Sequence, residues 1–347
     1  MLRIRTKQPT DESDRSITVS YCISSLNEIM LDNCFKPRCF LRNEGKELKV
    51  IDAGVGSFPP KVVNSSSDPV LDVLLGLAVN WVRHSVLVNV EGKLEGMVSA
   101  RDLLSFLGGG GFYSIVEDRY EGDLFRALKN TEAKELSYTP PRVYAQEEFA
   151  HIVSAMLEKR VGAVAVLNEE NVPVGLVSER HIINLFTCDY IGVKVSEIMS
   201  YPLAAVPPET PVIDAIRMLV SRHIRRLPII ENKEIKGMVT IKDLIAFFSK
   251  PSTLNQLKNE KKDLVWAQPL NMLASKKVVT IDAERDVGEA LQKMKRHGIG
   301  SLIVTVDNEP KAIVTERDIV TKLPKITGVE VFIDELEKTI TAARIIR

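Results

Sequence analysis

A plan that recurs four times along the chain constrains its fold more than any other feature. Each copy has an apolar strand, a short turn, a second strand ending in Ser or Thr, and then an apolar helix start. The strand pairs run Val82–Val88 to Gly96–Asp102, Val161–Leu167 to Gly175–His181, Ile224–Ile230 to Gly237–Asp243, and Ile299–Val304 to Ala312–Asp318. Upstream of each lies a helical pattern. Val212, Ala215, Ile216, Leu219 and Val220 share one face, as do Val287, Ala290, Leu291 and Met294, and Phe149, Ile152, Val153 and Met156. A short β-like stretch precedes the helix, such as Lys277–Ile281. The unit is therefore β-α-β-β-α, and one unit alone cannot cover its own sheet. Pairs must stack.

The spacing shows how the pairs arose. Gly237 lies 141 residues after Gly96, and Ala312 lies 137 after Gly175. The first and third copies carry Gly-Met-Val-Ser/Thr and a basic pair before the strand, Arg83-His84 and Arg225-Arg226. The second and fourth carry Ser/Thr-Glu-Arg, with Gly-Ala or Gly-Ser where the others are basic. A two-repeat unit has been duplicated. The fold class expected is α/β (α+β), four repeats packed as two pseudo-symmetric pairs. The expected divisions are an N-terminal extension 1–59, a first pair 60–188 (repeats 60–108 and 138–187), a second pair 189–325 (repeats 193–248 and 270–323), and a tail 326–347. The join falls near Asp189–Val195.

Composition narrows the function. With 46 basic and 46 acidic residues the formal net charge is zero, which argues against binding nucleic acid mainly through its phosphates. No apolar run reaches membrane-spanning length, and the N-terminus lacks a signal-peptide core. Cys22, Cys34, Cys39 and Cys188 fit neither a zinc site nor a Cys-x-x-Cys motif and read as free thiols in a reducing cytoplasm, a Cys34–Cys39 bridge being the alternative. The five histidines are isolated, without metal-ligand spacing, and most read as solvent-facing or helix-end residues. Gly108–Gly111 lacks the Gly-Lys-Ser/Thr ending of a P-loop and reads as a flexible linker. The charged stretch Asp334–Lys338 reads as a solvated helix face. No nucleophile–base arrangement stands out, so the chain reads as no enzyme and as needing no catalytic cofactor.

The strand ends carry the chemistry. A helix N-terminus with a Ser or Thr hydroxyl and nearby arginines suits a phosphate. The same Ser/Thr-x-x-Asp is also a capping box, and the two roles are compatible. Arg225 and Arg226 either lie on the surface or, since two cations opening a buried strand are costly, face an anion.

At these residues the sequence resembles the cystathionine-beta-synthase-type (CBS) domain family. Leu227-Pro228-Ile229-Ile230 through Gly237-Met238-Val239-Thr240-Ile241-Lys242-Asp243 is the best match, and the four copies over about 60–325 resemble two tandem Bateman modules, as in the gamma regulatory subunit of AMP-activated protein kinase. The resemblance implies a non-catalytic regulatory protein that binds AMP, ADP or ATP in clefts between paired repeats and signals to a partner. The alternatives are an S-adenosylmethionine-type ligand or a ligand-free scaffold. It implies ribose-binding carboxylates at Asp102, Asp243 and Asp318, and hydroxyls near phosphate at Ser99, Ser178, Thr240 and Thr315. Arg83, His84, Arg225 and Arg226 would meet phosphate, and the adenine would rest near Val206 or Val279. His181 departs from the pattern where an Asp is expected, and Ala312 where a Gly is expected. One or two occupied sites per half follow, with partners limited to a nucleotide, a second copy of the chain or a regulated protein.

Overall fold

In the computed structural model, which describes residues 48–345, each repeat builds its own small sheet. The first is β1 (Val63–Ser65), β2 (His84–Val88) and β3 (Leu94–Ser99); the second is β4 (Arg142–Tyr144), β5 (Ala163–Leu167) and β6 (Pro173–Ser178). The third has β7 (Arg226–Glu231) and β8 (Glu234–Thr240), and the fourth β9 (Thr280–Asp282), β10 (Ser301–Val306) and β11 (Glu309–Thr315). In the three-stranded sheets the first strand runs parallel to the second, which is antiparallel to the third. The third repeat's first strand shrinks to one parallel bridge from Val206 to Ile229. Pro207 and Pro208 follow at once, and proline cannot donate to a ladder.

The stacking of repeats follows from where apolar faces point. Sheets of repeats 1 and 2 meet through Val86, Met97, Ala163, Ala165 and Leu167. Helices, by contrast, pack across the two halves: one core joins repeats 1 and 3, and another joins repeats 2 and 4. The first-helix faces read from periodicity supply both. Ala215, Ile216 and Leu219 are fully buried, as are Ala290 and Leu291. The four repeats thus form one continuous body within a single chain. Each entering segment also lies on its sister's sheet. Ser57 bridges Leu176, Tyr138 bridges Met97, Ser200 bridges Ile313, and Ser275 bridges Met238.

Three expectations are corrected. The glycine run is no loose linker: Ser105–Gly109 forms a π-helical turn packed on the third repeat's first helix, Val212–Ser221. A Cβ on Gly109 would stand 2.5 Å from Ile216 Cγ2 and 2.9 Å from the Leu104 carbonyl, so only glycine lets the two elements approach. Gly109→Ala should therefore lower stability by about 1–3 kcal/mol of overpacking, measured by chemical denaturation. An unchanged midpoint would restore the linker reading.

The C-terminal tail is likewise more than a solvated face, because helix Val329–Ile345 buries Phe332, Leu336 and Ile340, with Phe332 5.2 Å from Phe186 ring to ring. Cys188 is buried and disulfide-bonded, not a free thiol; the other three cysteines lie outside the described residues. Spacing along a chain does not show a bridge that folding closes. His84 and His181 are half-buried and line a cleft, His181 in the first turn of the short helix Glu179–Ile183. Among the described residues no helix is long and apolar enough to cross a membrane, and no group of His, Cys, Asp and Glu could hold a metal ion.

Candidate functional site: four clefts around a charged hub

Strand register explains the centre of the molecule. His84, Ala163, Arg226 and Ser301 each pair with the terminal Ser or Thr of the next strand, so they are equivalent positions. The residue just before is Arg83, Gly162, Arg225 and Gly300 in turn. Its carbonyl accepts from the first helical N–H, that of Ala100, Glu179, Ile241 and Glu316 respectively. Odd repeats therefore place an arginine at the centre, and even repeats place a glycine and a glutamate. The side chains interlock across the halves. Arg225 Nη2 donates to Glu179 Oε2 at 2.6 Å, and Arg83 Nη2 donates to Glu316 Oε2 at 3.3 Å. Gly300 leaves the room: a Cβ there would stand 2.3 Å from Glu316 Oε1 and 2.5 Å from Arg226 Nη2.

Glu316 is the most crowded of these groups. Arg180 Nε donates to its Oε1 at 2.7 Å, and Arg226 Nη2 lies 3.8 Å from its Oε2. Its side chain is 1% exposed and that of Glu179 is 0%. Burial alone would raise the Glu316 carboxyl, but Arg226, Arg83 and Arg180 outweigh it and hold it below the usual range. The cations respond in the opposite sense. Burial, with Arg83 and Arg225 nearby, lowers Arg226 to about 10, and burial with Arg83 and Arg180 lowers Lys242 to about 8. Around two carboxylates the hub gathers Arg83, Arg180, Arg225, Arg226 and Lys242. The centre carries excess positive charge.

Four clefts open off this hub, one at each repeat's strand-to-helix junction. The Asp243 cleft is the largest of the four, about 300 Å³, and its lining includes Thr240, Asp243, Met238, Val278 and Val279 together with Arg83, Arg180, Arg225, Arg226, Lys242 and Lys277. Thr240 caps its helix: its N–H and hydroxyl both donate to Asp243 Oδ2 at 2.7 Å. Oδ1 takes no hydrogen bond from the described residues. Capping and a free acceptor coexist on one carboxylate.

The other three clefts differ, each for a local reason. By strand register the Asp102 cleft is its counterpart, yet it holds only about 50 Å³ and Asp102 does not line it. Where Ser275 bridges Met238, the first half has Tyr138 bridging Met97. The half-buried Tyr138 packs against the small core between the sheets, and burial plus the Asp102 charge raise its pKa. Burial in turn raises the Asp102 carboxyl despite two bonds from Ser99.

The Asp318 cleft measures about 210 Å³ and is lined by Thr315, Asp318, Arg225 and Arg226. Both Asp318 oxygens are engaged, Oδ2 by Thr315 and Oδ1 by Ser200 Oγ and Lys322 Nζ at 2.7 Å each. In the fourth cleft, about 180 Å³, His181 stands in for the Asp. The Ser178 N–H donates to its Nδ1 at 3.0 Å, so the ring keeps the cap of a carboxylate without its charge. Burial, then Lys61, lowers the His181 pKa.

The expected site residues thus separate by place. Thr240, Asp243, Val279, Arg83, Arg225 and Arg226 line one cleft. Ser178, His84 and Arg83 line the His181 cleft, and Ser99 lines the small one with Arg83 and His84. Thr315 and Asp318 share the third. Val206 is buried against Ile229 and lines none of the four. Sequence reading missed Glu179, Glu316, Arg180 and Lys242. The signal was present in the alternation of Arg in odd repeats with Gly and Glu in even ones.

Comparison with known proteins agrees with this architecture. The family model described as CBS domain matches residues 55–109, 133–187, 195–250 and 271–325. An uncharacterized 33.4 kDa protein of a ribosomal RNA operon in Thermofilum pendens is 44% identical over 298 residues, spanning 86% of this chain and 99% of its own. Protein MJ1225 of Methanocaldococcus jannaschii is 23% identical over 250 residues, 71% of this chain and 89% of its own. The crystal structure of MJ1225, described as a candidate archaeal homolog of g-AMPK, shares the fold with a TM-score of 0.70 at 20% identity, covering 79% of this chain and 99% of that one. With four copies of its defining repeat in register around one hub, the chain belongs to the CBS-domain family.

Proposed function

We propose that this protein is a non-catalytic regulator that binds an adenosine phosphate in the Asp243 cleft and passes the bound state to a partner. The observation that carries the reading is the convergence, within about 300 Å³, of a free carboxylate oxygen, an apolar wall and a cluster of arginines. Asp243 Oδ1 would accept from the ribose hydroxyls, the base would lie along Val278 and Val279, and the phosphates would meet Arg83, Arg225 and Arg226. The Thr240 hydroxyl already donates to Asp243, so the guanidiniums carry the phosphate. The positive floor favours AMP, ADP or ATP over S-adenosylmethionine, whose sulfonium would add a further cation.

The test is a thermal shift with AMP, ADP, ATP and S-adenosylmethionine at millimolar concentration. A ligand at 100 times its Kd stabilises by about 2.7 kcal/mol, several degrees of melting temperature. Asp243→Ala should weaken nucleotide binding about tenfold or more, the effect of losing a hydrogen bond to a charged group. Asp243→Asn keeps an acceptor for the Thr240 cap and separates binding from folding. An unmoved melting temperature with all four ligands sinks the reading, as does undiminished affinity in both variants.

A further inference from the structure

The His181 cleft differs from its three sisters in its capping residue, a histidine where they have an aspartate, and it shares much of its positive charge with the Asp243 cleft. Its walls bring together Lys61, Arg83, Arg180, Arg226 and Lys242 against one carboxylate, Glu316. Glu316 is already shared by three of those arginines. Lys61 is exposed and makes no ion pair among the described residues. Lys242 Nζ is held by the Trp81 carbonyl at 3.2 Å and over the Trp81 ring at 4.9 Å, with no carboxylate at either contact. So much uncompensated positive charge at a cavity calls for an anion of more than one charge.

The capping residue narrows the class. Because the Ser178 N–H donates to Nδ1, the neutral imidazole carries its proton on Nε2. The cleft offers a donor where a ribose-binding cleft offers a carboxylate acceptor. A ribose diol finds no charged acceptor there, whereas a phosphate oxygen finds one more donor. From this juxtaposition we infer that the His181 cleft is a separate oligophosphate site, selective for chains of two or three phosphates without a ribose diol.

The site adjoins the Asp243 cleft, since Trp81, Arg83, Arg180, Arg226 and Lys242 line both. The oligophosphate therefore has two conceivable sources: a free inorganic chain, or the tail of a nucleotide whose adenosine sits beyond the shared wall. Lys61 and His181 belong to this cleft alone, and Asp243 to the other. That division lets this inference and the nucleotide reading fail independently.

The experiment is isothermal titration of the full chain with sodium tripolyphosphate, AMP and ATP, alongside Trp81 fluorescence. Wild type should bind tripolyphosphate at one site, weakening steeply with salt. Lys61→Ala should reduce tripolyphosphate affinity about fivefold and leave AMP unchanged. His181→Asp should reduce it about tenfold or more, while Asp243→Ala weakens AMP and spares tripolyphosphate. If Lys61→Ala also weakens ATP but not AMP, the source is a nucleotide tail; if ATP is untouched, it is a free chain. Lys61 is exposed, so its variant folds as wild type does, which the ligand-free melting temperature checks. Absence of tripolyphosphate binding overturns the inference. So does binding that Lys61→Ala and His181→Asp leave intact.

Discussion

Replacing Glu316 by Gln should cost about 3–5 kcal/mol of folding stability and lower the melting temperature by about 10 °C. The side chain is nearly inaccessible and compensates Arg83, Arg180 and Arg226 at once. The amide keeps the volume but removes the charge, leaving Arg83 and Arg226, both largely buried, and the more exposed Arg180 facing one another. That uncompensated burial, and not the worth of any single bond, sets the magnitude. A multivalent anion should restore part of the loss, because it supplies the missing charge to the same cations. Urea denaturation with and without tripolyphosphate measures both effects. A loss below about 1 kcal/mol would mean that solvent reaches the hub, and the proposed electrostatics would have to be given up.

Acid should destabilise the protein well before its carboxylates titrate, and His84 should account for much of the slope. Burial, followed by Arg83, Arg225 and Arg101, lowers the folded-state pKa of His84 to about 3. An unfolded imidazole takes up its proton near pH 6.5, so between pH 6.5 and 3 the unfolded chain holds the extra proton. Stability is then fully present above about pH 6.5 and falls as the pH drops, by up to about 1.4 kcal/mol per unit. Between pH 6.5 and 5 the loss from this one residue approaches about 2 kcal/mol. His84→Gln should flatten the profile across that interval, with His181 leaving a residual slope of the same sign. Superimposable wild-type and variant profiles would show that His84 protonates freely in the native state.

What could be read from the sequence was whatever depends on near neighbours. The first-helix faces emerged from periodicity alone, because burial of Ala215, Ile216 and Leu219 needs only the 3.6-residue turn. The junction of Thr240 with Asp243 was visible because its two members are three residues apart. The hub was not, since Arg83 meets Glu316 from 233 positions away and Arg180 meets it from 136. Cleft sizes were equally hidden: whether Tyr138 or Ser275 sits on the sister sheet depends on how the entering segment crosses. The glycine run misled for a related reason, as the surface it must approach belongs to another repeat.

The diagonal pairing of Arg83 with Glu316 and Arg225 with Glu179 has a consequence for how such a chain can diversify. Each half lends one guanidinium and borrows one carboxylate, the reciprocity of an isologous dimer, so two identical halves would satisfy it equally well. Two separate identical subunits, however, would be bound to present their pockets as matched twins. Tethering both in one polypeptide frees each copy to drift: Arg226 against His84, Ser275 against Tyr138, Asp318 against His181. A covalent link thereby turns two duplicated specificities into four individual ones.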